Sequence, residues 1–174
     1  MWRFFKTILA NNGTTIPVSE VFSDPEVAII GKKIDQKIKK LFNGSLAIRV
    51  VDAGSDNSCE QELTALGNAY YDVERFGIHF VASPRHADML MVTGPVSRNS
   101  VVALKKAYEA TPNPKMVVAV GDGAINGGIY KGSYAIVDSV DQVIPVHFCI
   151  PGDPPSPRQI LRGLLEILGK IEKP

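Results

Sequence analysis

Apolar residues along this chain follow two kinds of pattern, and the change between them comes at about Leu46. Before that point the spacing is helical. Met1 to Leu9 places Phe5, Ile8 and Leu9 at helical intervals with Arg3 and Lys6 between them, which predicts a short amphipathic helix. Asn11 to Pro17 breaks it. Ser23-Asp24-Pro25 then opens a longer helix whose Val27, Ile30, Ile34, Ile38 and Leu41 form one apolar stripe. Lys32, Lys33, Lys37, Lys39 and Lys40 fall mostly off that stripe. They read as a solvated helix face, with a docking patch for an acidic partner as the alternative.

From Leu46 onward the apolar runs become short and alternate with glycine-rich loops and amphipathic helices, the pattern of a parallel sheet wound by crossover helices. Strands are predicted at Leu46 to Val51, Ile78 to Val81, Met89 to Thr93, Met116 to Val120 and Val143 to Phe148. Helices are predicted at Cys59 to Tyr70, Asn99 to Ala110 and Pro157 to Ile171, the last with proline in its first turn, where the missing donor is harmless. Residues 1–44 read as a helical extension and 45–174 as one α/β domain. Pro112-Asn113-Pro114 is a tight connection between helix and strand.

Composition narrows the functions. A chain of 174 residues that is 45% hydrophobic and 21% charged can bury a core without staples or metals. Its net charge of +1 gives no overall field toward nucleic acid, so any charged contact must be local. Two cysteines, Cys59 and Cys149, ninety residues apart, and the lack of a signal-like start predict a reduced, cytoplasmic protein. No apolar run reaches the roughly 20 residues needed to cross a bilayer.

The candidate chemistry lies in four loops that should meet at the carboxyl edge of the sheet, where open α/β sheets bind ligands. They are Asp52 to Cys59, Thr93 to Arg98, Gly121 to Gly128, and Ile150 to Pro157. Glycines and free amides there could cradle an anion. Yet Gly121-Asp122-Gly123 reaches Asn126 where a dinucleotide fingerprint wants glycine, no clear helix follows it, and there is no Gly-Lys-Ser/Thr phosphate loop. His79, His86 and His147 form no serine-histidine-aspartate order and read as structural. No catalytic residue is assigned.

At these same loops the sequence resembles the small subunit family shared by complex I, formate hydrogenlyase and energy-converting nickel-iron hydrogenases. The resemblance runs from about Val51 to Ile171. It is carried by Tyr71-Asp-Val-Glu-Arg-Phe-Gly-Ile78, Ala82-Ser-Pro-Arg-His-Ala-Asp88, Val92-Thr-Gly-Pro-Val96, Val118-Ala-Val-Gly121, Gly127-Gly128, Ser133-Tyr134, Ile144-Pro-Val146 and Ile150-Pro-Gly152 with Pro154-Pro155. It implies a flavodoxin-like three-layer α/β sandwich with a mainly parallel sheet, preceded by the helical extension.

The resemblance also implies a four-iron four-sulfur cluster at the carboxyl edge, held by four cysteines. The matching positions here are Asp56, Cys59, Gly123 and Asp153, so one of four thiolates remains. Iron-sulfur clusters need soft thiolates, while carboxylates suit harder cations and glycine offers no ligand. Asp56, Asp122, Asp153 and Cys59 could instead hold a hard divalent metal, although aspartate is also a common turn and cap residue. Cys149 reads as a small buried hydrophobe on a strand.

The expectation is therefore a subunit on the cytoplasmic side of the membrane, peripheral, docked on a large subunit of the complex I or nickel-iron hydrogenase type and without its own cluster. Arg75, Phe76, Arg85 and His86 are the expected partner interface. Alternatives are an independent binding domain for an anion, small molecule or hard metal, and an electron carrier with atypical cluster ligands. Trp2, Phe4, Phe5, Ile8 and Leu9 are too apolar for a free tail, so the first segment should dock on a partner or at the membrane surface. Deleting residues 1–9 should leave the melting temperature nearly unchanged and lower recovery with membranes or the complex. A large loss of stability in thermal unfolding would place the segment in the core instead.

Overall fold

The computed structural model describes residues 25–171. The amphipathic segment expected at Met1 to Leu9 lies outside the described residues. The chain runs α1 (Pro25–Phe42), β1 (Leu46–Asp52), α2 (Ser58–Ala65), β2 (Ile78–Phe80), β3 (Met89–Thr93), α3 (Val101–Ala110), β4 (Met116–Val120), α4 (Asp122–Asn126), β5 (Phe148–Ile150) and α5 (Pro157–Ile171). Short 3₁₀ turns stand at Val73–Phe76, Pro84–His86, Gly128–Tyr130 and Val140–Gln142.

The strands form one all-parallel sheet in the order β2-β1-β3-β4-β5. That is the flavodoxin-like order, with its switch point between β1 and β3. Alternation along the strands divides the sheet's side chains between two layers. Leu46, Ile48, Met89, Met91, Val118 and Val120 join Ile34 and Ile38 of α1 and Ile160, Leu161 and Leu164 of α5 in one core. Leu90, Val92, Val117 and Ala119 join Leu104 of α3, Val140 and Ile144 in the other.

The stripe read from α1 is the buried face of that helix: Val27, Ile30, Gly31, Ile34 and Ile38. Ile34 and Ile38 are completely buried, each contributing about 1.5–3 kcal/mol of burial. Residues assigned to the N-terminal extension thus share a core with the sheet.

Three boundaries differ from expectation. α2 ends at Ala65, five residues early, because Gly67 and Asn68 break it; the Asn68 side-chain oxygen accepts from the amides of Tyr70 and Tyr71, at 2.9 and 3.0 Å, forming an Asx-type turn. β5 begins only at Phe148, because Pro145 has no ladder donor and the amides of Val143 and Ile144 bond back to Val140. The loop after β4 does carry a helix, the short α4, started by Gly121 at φ 88°. Cys149, expected to be buried, is exposed on the edge strand β5.

Gly31 is where α1 meets the turn before β2. A Cβ there would fall 2.1 Å from the Phe76 ring. Gly31→Ala should therefore cost about 1–3 kcal/mol in urea unfolding despite alanine's better helix propensity. Adding Phe76→Leu should recover part of the loss; an unchanged or stabilised Gly31→Ala protein would mean the ring has room to move.

Candidate functional site

Strand register builds the site. Asp52, Thr93 and Val120 lie side by side, and Val120 pairs with Ile150, so four loops leave the sheet at one level. Asp56, Cys59, Gly123 and Asp153 line one small cavity there with Ser55, Ser58, Gly94, Pro95, Gly127, Gly128, Ile129 and Tyr130. The four positions expected to converge do so.

The loops are fastened to one another by backbone contacts. Gly94, at φ 72°, lies so close to the next loop that a Cβ on it would meet the Ser55 backbone at 2.4 Å. This packing narrows the space between the loops that follow β1 and β3. A Cβ on Gly121 would meet Cys59 Sγ at 2.5 Å, and one on Gly123 would meet Pro95 Cδ at 2.9 Å. The third and fourth loops are stapled reciprocally: the Asp122 amide donates to the Gly152 carbonyl at 2.8 Å, and the Gly152 amide donates to Asp122 Oδ1 at 3.0 Å.

Two carboxylates, Asp52 and Asp56, are engaged within their own loop. Asp52 Oδ1 accepts from the Gly54 and Ser55 amides at 2.8 and 2.9 Å. Asp56 Oδ1 accepts from the Ser58 hydroxyl at 2.5 Å and the Ser58 amide at 3.0 Å, and these bonds hold its pKa below the ordinary carboxylate value. Among the described residues no group of three or more His, Cys, Asp or Glu is placed to hold a metal ion. The free volume of the cavity is about 30 Å³, room for one or two waters.

Cys59 is buried, and its thiol pKa is pushed up to about 11, first by burial and then by the charge of Glu60. The neutral thiol is therefore the resting form. Cys149 lies on β5, outside the residues lining this cavity.

Two features had no separate place in the sequence pattern. Glu60 Oε1 accepts from the Thr93 hydroxyl, while Glu60 Oε2 is buried with no partner among the described residues. The only signal was an acidic residue in the first turn of a helix opposite a strand-end threonine. Beside the cavity, Ile129 is 79% exposed, Tyr130 45% and Tyr134 90%. Tyr134 stands on a fixed loop: Arg98 Nε donates to its carbonyl at 2.6 Å, the Arg98 amide to Ala135 at 3.0 Å, and the Val137 amide to Val96 at 2.7 Å.

The expected interface residues lie elsewhere. Arg75 is in the turn just before β2, at the amino edge; it is exposed, 3.9 Å from Asp72 and 4.7 Å over the Phe76 ring. Phe76 is buried in the chain's own core. Arg85 and His86 are exposed on the Pro84–His86 turn, in a connection whose two ends flank β1 at the level of Ile48. That is about 13 Å below the carboxyl edge at about 3.3 Å per residue.

The sequence profile of the NADH ubiquinone oxidoreductase 20 Kd subunit matches residues 57–167, from the first site loop into α5. The chain belongs to that family. It is 41% identical over 145 residues to a probable membrane-bound hydrogenase subunit of Pyrococcus furiosus, covering 82% of this chain and 87% of the relative. It is 36% identical over 169 residues to an NADH-quinone oxidoreductase subunit of Bacteroides thetaiotaomicron, covering 91% and 85%. Among solved structures, a chain of the membrane-bound sulfane sulfur reductase, an archaeal respiratory membrane complex, superposes with a TM-score of 0.67 at 36% identity, covering 79% of this chain and 74% of that one. This member of the 20 Kd subunit family therefore has the four loops in place and one thiol among them.

The raised Cys59 pKa has a chemical and a thermodynamic consequence. Iodoacetamide at neutral pH should alkylate Cys149 first and leave Cys59 intact until the chain unfolds, as peptide mapping would show. Between the ordinary value of 9.0 and about 11, the unfolded chain ionises Cys59 while the folded chain does not. Its contribution is complete below pH 9 and is lost as pH rises through that window, so the wild type should lose stability there faster than Cys59→Ala. Parallel pH profiles of the two proteins would contradict this.

Proposed function

We propose that this chain is a peripheral subunit of a membrane-associated oxidoreductase complex of the complex I or energy-converting hydrogenase type. It docks on the large subunit from the cytoplasmic side and carries no iron-sulfur cluster of its own. The observation that carries the reading is the filled edge: family loops retained and converged, but around a neutral thiol, a glycine and two carboxylates in a cavity of about 30 Å³. These residues do not fit a four-iron cluster. Hard oxygen donors are poor ligands for it, Gly123 offers no ligand at all, and the Asp122–Gly152 staple holds loops that the cluster would otherwise hold.

Docking is supported by what remains exposed. Tyr134 and Ile129 are exposed on the segment after α4, Tyr134 on backbone held by Arg98, the kind of anchor that fills a pocket on a partner. Arg75 and Arg85 add guanidinium groups suited to bidentate pairing with partner carboxylates. Relatives named as hydrogenase and NADH-quinone oxidoreductase subunits support the partner class. No described helix is long and apolar enough to cross a membrane, in keeping with a peripheral place.

Two experiments test the reading. Anaerobic reconstitution with iron and sulfide should leave the protein colourless, whereas stoichiometric iron and acid-labile sulfide would sink the cluster-free reading. Asp56→Cys, Gly123→Cys and Asp153→Cys together should restore brown colour and a reduced-cluster resonance, with Pro95 yielding to the new side chain at 123. For docking, Tyr134→Ala, Arg75→Ala and Arg85→Ala should each lower recovery of the co-expressed complex while shifting stability by only about 0.5 kcal/mol. A loss of several kcal/mol in the isolated chain would instead make that residue an internal strut.

A further inference from the structure

The outer face of α1 is rich in lysine. At about 100° per residue, the buried Val27, Ile30, Ile34 and Ile38 fall within an arc of about 80°. Lys32, Lys33, Lys37, Lys39 and Lys40 spread over about 160° on the opposite side. Lys32, Lys33, Lys39 and Lys40 are exposed, and Lys37 lies toward α5, where a Cβ on Gly169 would be 3.8 Å from its Nζ. In the middle of the lysines stands Ile29, 54% exposed.

The acidic residues of the same helix are both engaged. Asp35 pairs with Lys39 at 2.7 Å, and Glu26 is held by the Arg162 guanidinium of α5. Five lysines against two acidic residues leave this one helix at +3, on a chain whose total is +1. The charge is thus concentrated on one face and balanced elsewhere.

We infer that the lysine face of α1 lies against the anionic headgroups of a phospholipid bilayer. Lysine is depleted from protein interfaces, whose central contacts are aromatic or arginine residues in fitted pockets. A convex row of ammonium groups offers little shape to such a pocket. A headgroup layer reads charge without shape and attracts basic residues near its surface. The lysine stems also extend to the headgroups without drawing the helix in, and Ile29 gives the same face one apolar contact. The inference deepens the membrane-peripheral part of the proposed function by naming the surface that faces the lipid.

The test uses the full chain and phosphatidylcholine vesicles with or without roughly one-third phosphatidylglycerol. Co-sedimentation should require the anionic lipid and fall as salt rises. Lys32→Gln, Lys33→Gln and Lys40→Gln together should weaken binding by at least about tenfold, with the melting temperature essentially unchanged. Deleting residues 1–9 should leave that lysine dependence in place. Equal binding to neutral and anionic vesicles, or binding indifferent to the three substitutions, would overturn the inference. So would a triple variant that binds vesicles normally but is lost from the co-expressed complex, the outcome expected of an acidic protein partner. Because the vesicles contain no other protein, this assay can fail while docking on the large subunit stands.

Discussion

The parallel register of β1, β3, β4 and β5 is the constraint from which the site follows. Asp52, Thr93 and Val120 end at one level, and Ile150 pairs with Val120, so four loops have no choice but to meet. The register is itself held by burial on both faces. A slip of one residue along β3 would exchange Met89 and Met91 with Leu90 and Val92 between two different cores. Loop convergence is thus secured by packing far from the loops, and it survives a change of the residues the loops carry.

That separation lets the edge stay folded whatever residues its loops carry. The loops cross-link one another directly. Ser55 rests on Gly94, Cys59 on Gly121, and Asp122 and Gly152 exchange two hydrogen bonds. Each device needs a glycine or an aspartate, the residue types that tolerate left-handed backbone or bind loop amides. Asp56 illustrates the same economy, since its carboxylate is used by Ser58 and is held ionised by it. The one thiol among these loops, Cys59, is neutral and packed at the edge of the core.

The two faces left for contact differ in chemistry. The segment after α4 presents exposed Ile129 and Tyr134, the latter on backbone held by Arg98. The outer face of α1 presents ammonium groups. A fixed knob costs little entropy on binding and suits a shaped protein pocket, whereas flexible cations suit a surface without shape. A subunit held between a protein partner and a bilayer would use both.

The chain's own periodicities determined the larger elements. The stripe of α1, the all-buried β3 and the amphipathic α5 could be read directly, because burial on a helix or a two-sided parallel strand repeats at a fixed spacing. Loop composition determined where the site would be and that its residues could not all be thiolates. Only tertiary structure decided the rest. Nothing in the spacing shows that Gly31 of α1 lies against the Phe76 ring, and Cys149 looks like a core residue until β5 proves to be an edge. Val143 to Val146 has the composition of a strand, yet Pro145 and the turn at Val140 turn Ile144 into the second core instead. Nor could spacing show that Arg75 and Arg85 lie away from the carboxyl edge, or that Ser55 packs on Gly94. Such contacts join residues tens of positions apart, and periodicity reports only what a residue shares with its neighbours along the chain.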